Sequence, residues 1–322
     1  MRASDCLDKG VMNVARRLIA LTLVCALACV VGVSLAGCGS GASSRGEAEN
    51  TSTASQPGAD DELVVAIAGM ITPKDALEYY LEFSEYVGAK AGKRVRLIHK
   101  SDYAQVNKLL EEGKVDVAFV CSGPYVTGRD RFGLELVAAP VVDGVQTYRS
   151  YTIVPRSSDA TSLESLRGKT FAFTDPESNS GRIIPTYTLG QMGATPEAFF
   201  KEVFFSYGHD NSIKLVATGK ADGAAVDSLI WEYDNDLKPE YTAKTKIIAK
   251  SETCAIPPVV VRPGLDPELK KRISDAFLGA EEDPEGAAIL AKMRIEKFAP
   301  IEDSAYDSIR AMETWIDQNP MP

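Results

Sequence analysis

Thr170-Phe171-Ala172-Phe173-Thr174-Asp175-Pro176-Glu177-Ser178-Asn179-Ser180-Gly181 joins a short apolar run to a tract of small polar residues. The first four residues predict a buried strand, and Thr174–Gly181 predicts the turn into a helix that ends near Gly193. The same alternation continues downstream. Val203–Phe205 predicts a strand, His209-Asp210 caps a helix to about Thr218, and Ala224-Ala225-Val226 predicts a strand ending at Asp227-Ser228. Upstream, Leu63–Ala68 predicts a strand and Pro73 to about Lys93 a helix. Val95–Ile98 follows as a strand, Ser101-Asp102 caps a helix over Tyr103–Glu112, and Val115–Val120 leads as a strand into Cys121-Ser122-Gly123. Two sets of β-α-β-α-β make this an α/β chain. Leu134–Val142, Tyr148–Pro155 and Val259–Val261 predict further strands. Helices at about 267–280, 285–293 and 303–318 close the chain.

In open α/β sheets, ligands bind outside the carboxyl ends of the strands, where helices begin. Three such ends carry small polar residues: Cys121-Ser122-Gly123, Ser178-Asn179-Ser180-Gly181 and His209-Asp210-Asn211-Ser212. Helix N-termini offer unpaired N–H groups and a positive partial charge, which suits an oxyanion. Each stretch alone reads better as ordinary helix capping. Three on two halves of one chain point to a cleft.

The N-terminus sets the compartment. Arg16-Arg17 precede an uncharged run, Leu18–Ala36, the layout of a secretory signal. The run nears the length of a membrane span, but it ends in Leu35-Ala36-Gly37-Cys38, which resembles the lipobox of bacterial lipoproteins. The expectation is a signal peptide over 1–37, starting at Met1 or Met12, with Cys38 lipidated. Residues 38–60, rich in Gly, Ser, Ala, Thr and Glu, then form a flexible tether to the membrane face.

Loss of residues 1–37 leaves 31 basic and 43 acidic residues, a net charge of −12. That balance excludes a general attraction for nucleic acid or anionic lipid. Of six cysteines, Cys6, Cys25 and Cys29 leave with the signal and Cys38 is modified, so only Cys121 and Cys254 remain in the folded part. No cysteine or histidine cluster has the spacing of a metal site. The two histidines, His99 and His209, and the lack of a GxSxG elbow argue against an enzyme.

Three stretches carry a family resemblance: Tyr103 with Asp116-Val117-Ala118-Phe119 and Ser122-Gly123-Pro124-Tyr125-Val126; Phe171–Pro176 with Ser178-Asn179-Ser180-Gly181; and Gly208-His209-Asp210 with Gly219–Asp227. They resemble the phosphate/phosphite/phosphonate-binding proteins of ABC transporters. The resemblance spans the chain from Leu63 onward. It implies a type II periplasmic-binding fold, with two α/β lobes and a two-strand hinge near Tyr148–Pro155 and Ala255–Val261. Lobe one would take 61–147 plus 256–322, and lobe two 148–255. It implies a monomer that holds a small oxyanion between the lobes, using Tyr103, Ser122, Gly123, Ser178, Asn179, Ser180, His209 and Asp227, and hands it to a membrane permease. No catalytic residue, cofactor or metal is expected.

Ionised Asp227 can only accept hydrogen bonds, so it favours a ligand bearing a proton or an amine; it also reads as a helix cap. His209 reads equally as a capping or packing residue. Cys121 departs from the family pattern. Phe119-Val120-Cys121-Ser122-Gly123 is similar to the arsenite-sensing branch of the superfamily, which pairs with a membrane histidine kinase. At a helix start its thiol pKa is expected to fall. Packing, ligand binding and a disulfide to Cys254 all remain open.

Overall fold

The computed structural model describes residues 61–69 and 74–320. The expected signal peptide, Cys38, both candidate starts and the tether lie outside these residues. Along the chain come β1 (Glu62–Ala68), α1 (Lys74–Ala91), β2 (Arg94–Lys100), α2 (Tyr103–Glu111), β3 (Val117–Phe119), α3 (Ser122–Phe132) and β4 (Glu135–Val141). The chain leaves this region through β5 (Thr147–Tyr148) and enters β6 (Ser150–Pro155). Then follow β7 (Thr170–Phe173), α4 (Ile184–Gln191), α5 (Pro196–Phe199), β8 (Glu202–Phe205), α6 (His209–Ala217), β9 (Gly223–Asp227), α7 (Ser228–Leu237) and β10 (Thr245–Lys250). It returns through β11 (Cys254–Ala255) to β12 (Val259–Val261), α8 (Pro267–Leu278), α9 (Pro284–Met293), β13 (Lys297–Ala299) and α10 (Asp307–Gln318).

The strands form two sheets, ordered β13-β4-β12-β3-β1-β2 and β10-β6-β9-β7-β8. Each has a parallel core, β1 with β2 and β3, and β7 with β8 and β9. The carboxyl ends of these strands carry the polar stretches singled out above. Returning strand β12 lies antiparallel between β3 and β4, with Val259 opposite Phe119. The link between the sheets is a small ribbon, β5 with β11, pairing Tyr148 with Cys254 and Thr147 with Ala255. It occupies only the first residues of the expected hinge spans. The rest of each span belongs to a sheet, where β6 and β12 are buried almost throughout.

Burial follows the pleat. In β7, Phe171 and Phe173 point to one face and pack on Phe200, with ring centroids 4.4 Å apart for Phe171 and Phe200. Ala172 points to the other face, with Ile153, Ile213, Val216 and Val226. The larger lobe is centred on Phe83, stacked on Phe298 at 5.3 Å and edge-on to Phe277 at 5.3 Å. Helix α10 packs on α3, and also on α4, where Trp315 meets Tyr187 at 5.3 Å. The C-terminal helix therefore touches both lobes.

Candidate functional site

The site forms where strand ends of the two sheets face each other. Asp227 ends β9 and caps α7, its Oδ1 accepting from Leu229 N at 2.8 Å. The cap reading of this residue is correct, yet the carboxyl is also buried at the cleft. Burial pushes its pKa up to about 7, against the downward pull of the Leu229 and Ile230 amides. His209 opens α6. Its Nδ1 accepts from Asp227 N at 3.0 Å and lies 3.2 Å from Thr174 Oγ1. With Nδ1 an acceptor, the proton of the neutral ring sits on Nε2. Burial pushes the His209 pKa down to about 3, so the ring stays neutral and Nε2–H is an uncharged donor.

Asn179–Ile183 form one π turn ahead of α4, and Ser178 caps it by accepting from Gly181 N at 3.0 Å. Asn179 Nδ2 donates to Tyr148 Oη at 3.0 Å, and Ser150 Oγ donates to Ser180 O at 2.6 Å. Gly181 fits because a Cβ there would lie 2.4 Å from Thr174 Oγ1. Opposite, Asp102 caps α2 and Tyr103 is its first residue. Tyr103 N donates to Asp175 Oδ2 at 3.2 Å, a hydrogen bond between the lobes. Gly123, in the first turn of α3, approaches the other lobe so closely that a Cβ would lie 2.2 Å from Glu177 O. The lobes are closed on one another.

Four buried polar side-chain atoms of this cluster have no hydrogen-bond partner: Tyr103 Oη, Asn179 Oδ1, Ser180 Oγ and His209 Nε2. Tyr103 Oη lies beside Ser178 without meeting hydrogen-bond geometry. Buried polar atoms are ordinarily paired, so a concentration of unpaired ones marks a place built for a polar guest. Tyr103, Ser180 and His209 can each donate, while Asn179 Oδ1 and ionised Asp227 accept. The nine candidate residues include no lysine or arginine, so an anion here would be held by neutral dipoles and helix ends.

Two expectations need correction. The Ser122 hydroxyl proton is committed to Ala255 O at 2.7 Å, tying α3 to β11, so it is not free for a ligand. Cys121 was expected to have a lowered pKa. It is wholly buried, and burial pushes its thiol up to about 11 against the Asn179 and Gly123 amides and the Tyr148 hydroxyl. Desolvating a thiolate outweighs these partial charges. Cys121 and Cys254 are free thiols, which removes the disulfide. In the sequence Tyr148, Thr174 and Asp175 read only as hinge and turn residues, not as part of the site. Tyr148 ends β5 of the interlobe ribbon, Thr174 follows β7 directly, and Asp175 precedes a proline; only position at or after a strand end could have flagged them.

Residues 65–306 match the family model described as ABC transporter, phosphonate, periplasmic substrate-binding protein. The phosphate-import protein PhnD of Mycolicibacterium smegmatis is 28% identical over 246 residues, covering 69% of this chain and 75% of that one. A binding-protein component of an ABC phosphonate transporter from Pseudomonas aeruginosa superposes with a TM-score of 0.75 at 25% identity, over 80% of this chain and 87% of that one. PhnD1 of Prochlorococcus marinus, in complex with methylphosphonate, superposes with a TM-score of 0.73 at 20% identity, over 80% and 99% of the two chains. Two α/β lobes with a site between them are thus the type II periplasmic-binding fold. Together these place the chain in the ABC-transporter phosphonate-binding family, as an extracytoplasmic substrate-binding protein and not an enzyme.

Proposed function

We propose that the protein captures a phosphate-, phosphite- or phosphonate-like oxyanion between its lobes and delivers it to an ABC permease. The observation that carries this reading is the buried set of unpaired donors, Tyr103 Oη, Ser180 Oγ and His209 Nε2, beside the helix starts at Ser122-Gly123 and Ser178–Gly181. Preorganised N–H and O–H groups bind an oxyanion without the desolvation cost of a buried cation. Asn179 Oδ1 and Asp227 ask for a proton in return, which a hydrogen phosphate, phosphite or phosphonate monoanion carries. The M. smegmatis phosphate-import relative and the methylphosphonate complex of P. marinus agree with this chemistry.

Calorimetry with phosphate, phosphite and methylphosphonate tests it directly; heat from none of the three would sink the assignment. In the same titrations Cys121→Ser should change affinity by less than about threefold, because the buried thiol is protonated and acts as packing. A loss of tenfold or more would make the sulfur a ligand contact. The neutral thiol also disfavours an arsenite-capturing role.

The anchor belongs to the same proposal. Lipidated Cys38, followed by the tether of residues 38–60, would keep the monomeric body beside its permease. Cys38→Ala should move the protein from the membrane fraction to the soluble fraction on cell fractionation; retention in the membrane would count against the anchor.

A further inference from the structure

At the amino ends of β1, β2 and β3, the pole opposite the oxyanion site, one face of the six-stranded sheet is left partly open. The register sets Arg262, Asp116, Val64 and Arg96 side by side across β12, β3, β1 and β2. Glu62 and Ile98 share this face, each two residues along its strand. Helix α2 with the turn after it, and the start of α8, wall the strip into a trough of about 770 Å³. Its floor is apolar and half-buried, from Val64, Ile98, Leu109 and Leu269. Its rim is basic, from Lys93, Arg96, Lys114, Arg262 and Arg272. The three carboxylates that line it are already engaged. Glu62 pairs with Arg96 at 2.7 Å, Asp116 pairs with Arg262 at 2.9 Å, and Asp266 caps α8 by accepting from Leu269 N at 2.9 Å. Among the described residues, Arg96 and Arg272 each make one hydrogen bond, through Nε, which leaves their outer nitrogens for another acceptor.

We infer that this trough seats the anchored body on anionic phospholipid headgroups of its own membrane. The inference rests on the Cys38 anchor proposed above. The chain enters the fold at the trough, because Glu62 both lines it and opens β1. The tether of 23 residues, 38–60, therefore delivers this pole to the bilayer, with a reach of roughly 26 Å. Guanidinium forks match phosphate. The apolar floor gives the glycerol and upper acyl carbons of a lipid a place to leave water, which inorganic phosphate cannot use. Five basic residues against three acidic ones leave the lining a surplus of two positive charges. Just outside it, Arg94 on the same face offsets Glu112, which holds Lys114 at 2.7 Å. Each surplus charge favours contact with an anionic bilayer by about fivefold, so two give roughly 25-fold. That orients a body the anchor already holds, but does not recruit a free one. The net charge of −12 keeps the rest of the body off the surface. Strand β1 separates this pole from the oxyanion site by about 23 Å. A seated body thus turns its cleft away from the bilayer, towards the solute, and has to tip over to reach a permease.

The test is amide hydrogen exchange on the lipidated protein, held by its anchor on vesicles of phosphatidylcholine alone or with about one-third phosphatidylglycerol. Amides of β2 and of the first turn of α8 should exchange at least about fivefold more slowly on the anionic vesicles. Salt at about 1 M, which shortens screening to about 3 Å, should erase the difference. Arg96→Glu combined with Arg272→Glu should erase it too, with oxyanion affinity unchanged because both residues lie at the far pole. The unaltered protein with and without salt decides the matter even if the double variant fails to fold. Equal exchange on the two kinds of vesicle would overturn the inference. So would protection without vesicles: from glycerol 3-phosphate it would make the trough a site for a soluble phosphate, and from raised protein concentration a contact with a second copy. Retention on both kinds of vesicle without protection of the trough sinks this inference alone. Failure of the protein to stay on phosphatidylcholine vesicles sinks the anchor and the inference with it.

Discussion

Gly123→Ala should lower oxyanion affinity by at least about 100-fold, some 2.7 kcal/mol, while leaving the unliganded protein folded. The reason is a single close approach. A Cβ on Gly123 would lie 2.2 Å from Glu177 O and 3.0 Å from Ile183 Cδ1. The first contact is with backbone of the opposite lobe, so no rotamer relieves it. Glu177 O and Ile183 stand across the cleft from Gly123, which lies in the first turn of α3, and Ile183 joins the apolar cluster of Cys121, Tyr125 and Val126 in this closed arrangement. The methyl group therefore acts on closure and not on folding. A lobe held open by about 1 Å separates the Tyr103 and α3 donors from Ser178–Gly181, and short hydrogen bonds weaken steeply over that distance. Calorimetry should report the lost affinity, and a thermal melt without ligand should stay within about 2 °C of the parent. Small-angle scattering supplies the third reading, because ligand should no longer compact the variant. Unchanged affinity would mean that the bound state is more open than this closed structure.

The α/β alternation and most elements were legible because their signals are local. Leu63–Ala68 and Thr170–Phe173 are apolar runs bounded by turn residues, and Asp102, Ser178 and His209 stand at helix starts. What escaped depends on the rest of the molecule. Strand β10 (Thr245–Lys250) pairs only with β6 at the sheet edge, so its lysines did not read as a buried strand. Helix α7 carries three acidic residues and fully buries only Ser228, so no buried apolar stripe marked it. The short strand β13 exists because it pairs with β4. Among site residues, the polar tripeptides were visible, but the partner of each was not. Ser122 turned out to be committed to Ala255, fixed only once β11 returns beside α3. The Cys121 expectation failed for the same reason: a helix start is a sequence feature, complete burial is not. The resemblance named the residues, and the unpaired atoms at Tyr103, Asn179, Ser180 and His209 say which of their groups remain available.

Asp227 should make both ligand affinity and stability fall as pH rises, and Asp227→Asn should reduce that dependence. Burial holds its pKa at about 7, above the ordinary 3.8. For an acid with a raised native pKa, the native state binds more protons than the unfolded chain between those two values. The stability is therefore fully present below about pH 4 and is lost as pH rises through about 7. Between pH 5 and 8 the loss amounts to about 2–3 kcal/mol for this one group. Glu177, Asp234 and Glu313, also pushed up to about 7 by burial, add to the slope of the parent. The difference between parent and Asp227→Asn isolates Asp227. For binding, an ionised Asp227 puts a negative charge beside the anion, and neutral His209 offers no compensating charge. Phosphite affinity of the parent should drop about tenfold per unit above pH 7 from this group alone. The asparagine variant has the same ligand and the same remaining titrating groups, so the difference between the two profiles belongs to Asp227. Its affinity at pH 8.5 should exceed that of the parent by about tenfold or more. Parallel pH profiles for the two proteins would place the titrating proton elsewhere and remove Asp227 from the site.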